Sequence, residues 1–301
     1  EFRRVLFRSS TGADGFIVKF NSAGVRQWGT YCGGTATNDV LMSCSADGAG
    51  NIFACGYGAS TTQIASAGSH QAAFGTGTAD AYLIKYTSAG LRSWGTYYGG
   101  TGDDGAWGIS VNTTGDVYMS GWSNSANAIA SAGAHQTVNG GTYDAFMVRF
   151  NNSGTRQWGT YYGGTGADYG NCCIANAAGD VYLVGATPST TGIATAGSCQ
   201  PAFGGGANDA FVAKFDVSGV RQWGTYYGGT GDDHGYGAAV ESSGDFLFGG
   251  YTSSSSGIAT AGSDQTAYGG GAADGMLMRL TSAGVLLWGT YCGGSFDDYG
   301  Y

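Results

Sequence analysis

Residues 156–162 read Arg-Gln-Trp-Gly-Thr-Tyr-Tyr, and the centre of that stretch, Trp-Gly-Thr-Tyr, begins at Trp28, Trp94, Trp158, Trp223 and Trp288. The intervals are 66, 64, 65 and 65 residues. A period this regular means that one supersecondary unit is copied along the chain and that each copy buries apolar surface on its neighbours.

The copy from Asp104 to Tyr162 shows what the unit contains. Trp107 to Val111 is a strand of mostly small residues, closed by the polar turn at 112–115. Asp116 to Trp122 is rich in β-formers. A Ser/Ala/Gly loop follows at 123–143. Asp144 to Phe150 is a third strand, 151–154 a second tight turn, and Arg156 to Tyr162 a fourth strand. Four strands joined by Gly-closed hairpins predict one antiparallel sheet. Such a sheet repeated along a chain predicts an all-β fold, a β-propeller of four-stranded antiparallel blades with a repeat of about 65 residues. A parallel β-solenoid fits poorly, because Asn/Ser-Gly turns reverse the chain locally. No segment carries an uninterrupted i, i+3, i+4, i+7 stripe, so helix is not expected.

Composition agrees. The 301 residues include 59 Gly and 2 Pro, and 14% are aromatic, which supplies the burial surface that disordered chains lack. The net charge is -9; without Glu1 to Ser10 the balance is 9 basic against 20 acidic residues. Phosphate binding needs a basic patch, so nucleic acid is not an expected partner, and anionic membrane surfaces are disfavoured for the same reason. No stretch is long and apolar enough to predict membrane insertion. Residues 1–10 match no part of the repeat and are read as a foreign leader. The single propeller domain is assigned to 11–301. It starts with the third and fourth strands of one copy, holds four full copies, and stops as a new inner strand begins. The chain is therefore expected to continue beyond residue 301, and this piece to expose strand edges.

The segment DAFVAKFDVSGVRQWGTYYGGTGDD, Asp209 to Asp233, resembles the bacterial SBBP-type β-propeller repeat, and the likeness extends over almost all of 11–301. The resemblance implies an exported or cell-surface bacterial protein. That family offers no agreed catalytic residues to carry over.

Within one unit, the Trp strand is expected outermost, with Trp28, Trp94, Trp158, Trp223 and Trp288 wedged between blades. The basic positions Lys19, Lys85, Arg149, Lys214, Arg279 and Arg26, Arg92, Arg156, Arg221 are read as ion pairs and caps. The seven cysteines form no framework; Cys44 and Cys55 are placed to face each other across one hairpin, and an odd count leaves a thiol free. Scattered histidines and the absence of a Cys-x-x-Cys pair argue against zinc.

The long loops and the blade-to-blade connections fall on one face. Loops of this length usually work, so the candidate binding face comprises Asp39, Asp104, Asp168, Asp233 and Asp298, which open the inner strands. It adds Gln71, Gln136, Gln200 and Gln265, with His70 and His135, from the loops. Each Asp can cap a turn by accepting backbone N–H bonds. Doubled carboxylates at Asp103–Asp104 and Asp232–Asp233 also allow a calcium ion held by oxygen ligands. No other cofactor is expected. Adjacent residues of an extended chain point to opposite sides, so Asp232 and Asp233 make a poor acid–base pair and an enzyme is not expected. The favoured reading is a non-catalytic extracellular or cell-surface scaffold that binds a protein or glycan ligand. The alternative is a glycan-binding lectin, calcium-assisted.

Overall fold

The computed structural model describes residues 14–34 and 38–301. The leader at 1–10 lies outside the described residues. Those described hold eighteen strands and no helix. β1 (Gly15–Phe20) and β2 (Arg26–Cys32) form a two-stranded sheet. Sheet I contains β3 (Val40–Ala46), β4 (Ile52–Gly58), β5 (Asp80–Tyr86) and β6 (Arg92–Tyr98). Sheet II contains β7 (Asp104–Val111), β8 (Val117–Ser123), β9 (Asp144–Phe150) and β10 (Arg156–Tyr162). Sheet III contains β11 (Tyr169–Ala175), β12 (Val181–Thr187), β13 (Asp209–Phe215) and β14 (Arg221–Tyr227). Sheet IV contains β15 (Asp233–Val240), β16 (Phe246–Thr252), β17 (Asp274–Leu280) and β18 (Leu286–Cys292). Each four-stranded sheet is antiparallel, with strands in chain order. The first strand of sheet II begins at Asp104, three residues before Trp107, because Asp104 already pairs with Ser123.

The sheets pack face to face in chain order. The first strands β3, β7, β11 and β15 contact one another in succession, and the Trp strand lies at the far edge. A middle sheet is covered on both faces. That is why β9, DAFMVRF, buries six of its seven residues and reads as a nearly continuous apolar run.

Two devices join neighbouring sheets. The indoles of Trp28, Trp94, Trp158 and Trp223 each lie against a glycine in the third-to-fourth-strand turn of the next sheet, and each Nε1–H donates to a carbonyl two residues before that glycine. Trp28 bonds Ser88 O at 3.0 Å, Trp94 Asn152 O at 3.1 Å, Trp158 Val217 O at 2.9 Å and Trp223 Ser282 O at 3.2 Å. The glycine cannot be replaced without strain. Gly219 has φ +83°, and a β-carbon there would stand 2.7 Å from the Trp158 ring. The second device is a pair of tyrosines. Tyr161 locks its own loop by donating to Ser125 O at 2.6 Å, while Tyr162 crosses to Ile193 O of the next sheet at 2.5 Å. At the two ends of the array the Trp joint is half made. Gly24 has nothing against it, and Trp288 has no such bond among the described residues. Phe16 on β1 is 68% exposed, with Phe20 and Tyr31 beside it.

One sequence expectation needs correction. Register places Cys44 opposite Ala54 and Cys55 opposite Ser43, so the two thiols point to opposite faces of sheet I. All seven cysteines are free, and no Cys44–Cys55 bridge forms. The basic positions divide between ion pairs and carbonyl caps, as the sequence reading has them. Arg149 meets Asp116 at 2.9 Å, Lys214 meets Asp180 at 2.9 Å, and Arg279 meets Glu241 and Asp245 at 2.7 Å. The fourth-strand arginines instead donate to loop carbonyls, as Arg156 does to Ala128 O at 3.0 Å and Ile129 O at 3.2 Å.

Candidate functional site: the inner ends of the sheets

The long loops are ordered along the outer strands. Ser131 N donates to Gly159 O at 2.8 Å, and Ile129 is fully buried beneath. The glutamines hold this arrangement. Gln71 Nε2 donates to Asp80 at 3.1 Å, and its Oε1 accepts Gly99 N–H at 3.0 Å. Gln136, Gln200 and Gln265 accept from Gly163, Gly228 and Gly293 in the same way. His70 packs against Tyr98 and Phe150, and His135 against Tyr162 and Phe215, although both keep exposed surface. That packing pushes the pKa of each down to about 4, with Arg156 and Arg221 adding in the same direction.

The first-strand aspartates are interior groups. Asp39, Asp104, Asp168 and Asp233 are all buried, and Asp298 is half-buried. Asp104 accepts Gly100 N–H at 2.8 Å and the Ser125 hydroxyl at 2.7 Å, and also bonds Ser123. Asp168 and Asp233 repeat this with Ser189 and Ser254 at 2.9 and 2.8 Å, and Asp39 with Ser60 at 2.6 Å. Asp298 accepts Gly294 N–H at 2.7 Å. These carboxylates are capped by the protein itself. Burial raises the pKa of Asp104, Asp168 and Asp233 against the pull of their hydroxyl donors. The third-strand aspartates stand close by. Asp80 Oδ1 and Asp104 Oδ2 lie 2.8 and 2.7 Å from where a β-carbon on Gly99 would be, so only glycine fits between them. Oδ1 of Asp80, Asp144, Asp209 and Asp274 is buried without a hydrogen-bond partner. Burial lifts Asp80 and Asp209 to about 7 and Asp144 to about 6, with the neighbouring first-strand carboxylate adding to the rise.

The doubled carboxylates part company, as the extended chain requires. Asp103 turns away from Asp104 to accept the Thr78 hydroxyl at 2.8 Å. Asp232 turns away from Asp233 and accepts Asn208 Nδ2 at 2.8 Å, with His234 Nε2 at 3.1 Å. No three His, Cys, Asp or Glu side chains converge on one point among the described residues.

A different set of side chains faces outward at this end. Each first strand carries a β-bulge three residues after its aspartate, and the bulged residues are Met42, Trp107, Asn171 and Tyr236. A bulge leaves its residue outside the ladder and re-aims its side chain. Around these positions aromatic rings gather. Trp107 lies nearly parallel to Tyr169 of sheet III, at 5.6 Å and 17°. Trp122 and Tyr143 close that group, at 6.2 Å from Trp107 and 6.1 Å from Tyr169 respectively. On sheet IV, His234 lies parallel to Tyr236 at 5.9 Å and to Tyr251 at 4.8 Å. Asn171 connects the two groups by donating to Gly235 O at 2.8 Å. All of these rings are half-buried. Trp122 Nε1 and Asn171 Oδ1 are shielded polar atoms without partners, each at a cost of about 1–3 kcal/mol.

The 65-residue period does not reveal this strip, because it marks what the copies share. The detectable signal is the reverse. At the third residue after the first-strand aspartate the copies read Met, Trp, Asn, Tyr and Tyr, at Met42, Trp107, Asn171, Tyr236 and Tyr301, in a first strand that varies along its length while the Trp strand does not. No protein-family model and no curated protein matches the chain.

Proposed function

We propose that the four sheets are blades of a β-propeller that serves as a non-catalytic interaction scaffold, with its recognition surface at the aromatic inner ends of the blades. Face-to-face packing in chain order, with first strands together and Trp strands apart, supports the propeller arrangement. The observation that carries the functional reading is the set of bulged residues. Bulges concentrate where a side chain must be re-aimed, and these four positions change from sheet to sheet while the Trp joint at the outer edge does not. Half-buried Trp and Tyr rings with polar tips are also the groups that dominate recognition energetics. Catalysis is not favoured, since the buried aspartates are bonded internally and Asp232 and Asp233 face different surroundings. The SBBP-type likeness, and with it an exported or cell-surface setting, belongs to the same proposal.

A protein array and a glycan array, screened in parallel with wild type and a Trp107→Ala/Tyr236→Ala double variant, test the location. Signals that vanish in a still-folded double variant support it. Equal signals from both proteins place recognition elsewhere.

A further inference from the structure

The inner strip also specifies a ligand chemistry. We propose that it takes a neutral carbohydrate, with a pyranose ring lying on the His234–Tyr236–Tyr251 group and vicinal hydroxyls donating to Asp232. This inference rests on the strip being the recognition surface, as proposed above.

Charge separates the two faces of the molecule. Every described Lys and Arg lies at the tight-turn end of its sheet, near the close of a third strand or the start of a fourth, as with Lys85 in β5 and Arg92 in β6. The long loops at 59–79, 124–143, 188–208 and 253–273 contain none. An anionic ligand therefore meets no lysine or arginine at the inner strip.

Asp232 is the polar anchor. Its side chain is 38% exposed, and Oδ1 is held by Asn208 and His234. Its Oδ2 accepts no bond among the described residues and is not shielded. Two protein donors thus fix the carboxylate while one oxygen is left to accept from a ligand. A carboxylate accepts and does not donate, so the complementary group is a hydroxyl or a cation. The rings decide between these. They pack against one another at 4.8 to 5.9 Å with planes within 27°, leaving no ring-lined hole that encloses a quaternary ammonium, the arrangement cation–π recognition uses. Tyr301 and Tyr299 lie 5.1 Å from Tyr236 and Tyr251 and are exposed, so the enlarged group offers apolar ring surface with polar edges. A pyranose has the matching build, with apolar C–H faces and a rim of hydroxyls. The Trp107–Tyr169 pair, reached across Asn171, supplies a second platform along the strip for the next sugar of an oligosaccharide.

The experiment is a glycan array followed by calorimetric titration of the full chain with the neutral oligosaccharides that score, alongside choline and sulfated glycans. Neutral glycans should bind and anionic ones should not. Asp232→Asn should weaken binding about tenfold or more, and Tyr236→Ala about threefold to tenfold, with both variants still folding cooperatively. Asp232→Glu, which keeps the acceptor, should recover part of the affinity. Binding of choline or of sulfated glycans in place of neutral ones overturns the sugar assignment. So does a blank glycan array beside a Tyr236-dependent protein-array signal, which leaves the recognition surface standing. Loss of every Tyr236-dependent signal on both arrays removes the surface as well.

Discussion

The outer edge and the inner end of the same sheets follow opposite rules. At the outer edge Trp28, Trp94, Trp158 and Trp223 make one joint four times, each against a glycine with positive φ and each donating to an equivalent carbonyl. At the inner end the bulge holds Met42, Trp107, Asn171 and Tyr236 in turn. A joint must be identical wherever two identical sheets meet. A surface read by a ligand has no such requirement. Uniform positions therefore report packing, and varied positions that face outward at a bulge mark where recognition can be placed.

The comparison is broken most easily at the Trp joint. Trp158 is 7% exposed, and Trp158→Ala is expected to cost about 3–5 kcal/mol in a urea melt. An effect below about 1 kcal/mol would show that the joint holds little. The glycine side of the joint comes next. Gly219→Ala forces a β-carbon toward Trp158 at positive φ and should cost about 1–3 kcal/mol. Gly24→Ala has similar φ but open space around it, so it should cost less than Gly219→Ala in the same assay. Equal losses would mean that backbone strain alone is at work.

A smaller effect comes from the buried carboxyls. Asp209 has its folded pKa raised to about 7, chiefly by burial, from an ordinary value near 3.8. The folded state then binds the proton more tightly than the unfolded one. Its stability contribution is full below about pH 4 and is lost as pH rises toward 7. Asp209→Asn keeps a neutral acceptor for Gly204 N–H, so its melting temperature relative to wild type should climb between pH 4.5 and pH 8. A falling difference would contradict a folded pKa raised by burial. The smallest effect concerns metal. With no three ligands converging among the described residues, EDTA should leave ligand binding unchanged, and a loss restored by calcium would revive the oxygen-ligand site at Asp103 or Asp232.

The strands were legible because two signals coincide, the 65-residue period and the Gly-closed turns. Trp158 in β10 and Asp144 at the head of β9 stand where the pattern puts them. The cysteine pairing was not legible, since it depends on which face Cys44 takes, and a bulge at Met42 intervenes. The candidate site was legible only as a face of the molecule. Asp104 and Gln136 occupy that face but spend their polar atoms on glycine N–H groups and serine hydroxyls. Nothing in a one-dimensional pattern separates a capping carboxylate from a presented one. The aromatic strip combines Trp107, Tyr169 and Tyr236 from three sheets, so it exists only once the sheets are packed.

The central claim is the division of labour between edge and bulge. The direct test is one urea unfolding series on alanine variants of Trp94, Trp158 and Trp223 beside those of Trp107, Asn171 and Tyr236. The account predicts two groups that do not overlap, with the first losing several kcal/mol and the second about 1 kcal/mol or less. Interleaved values would contradict it, because the bulged residues would then be holding the sheets together like the rest.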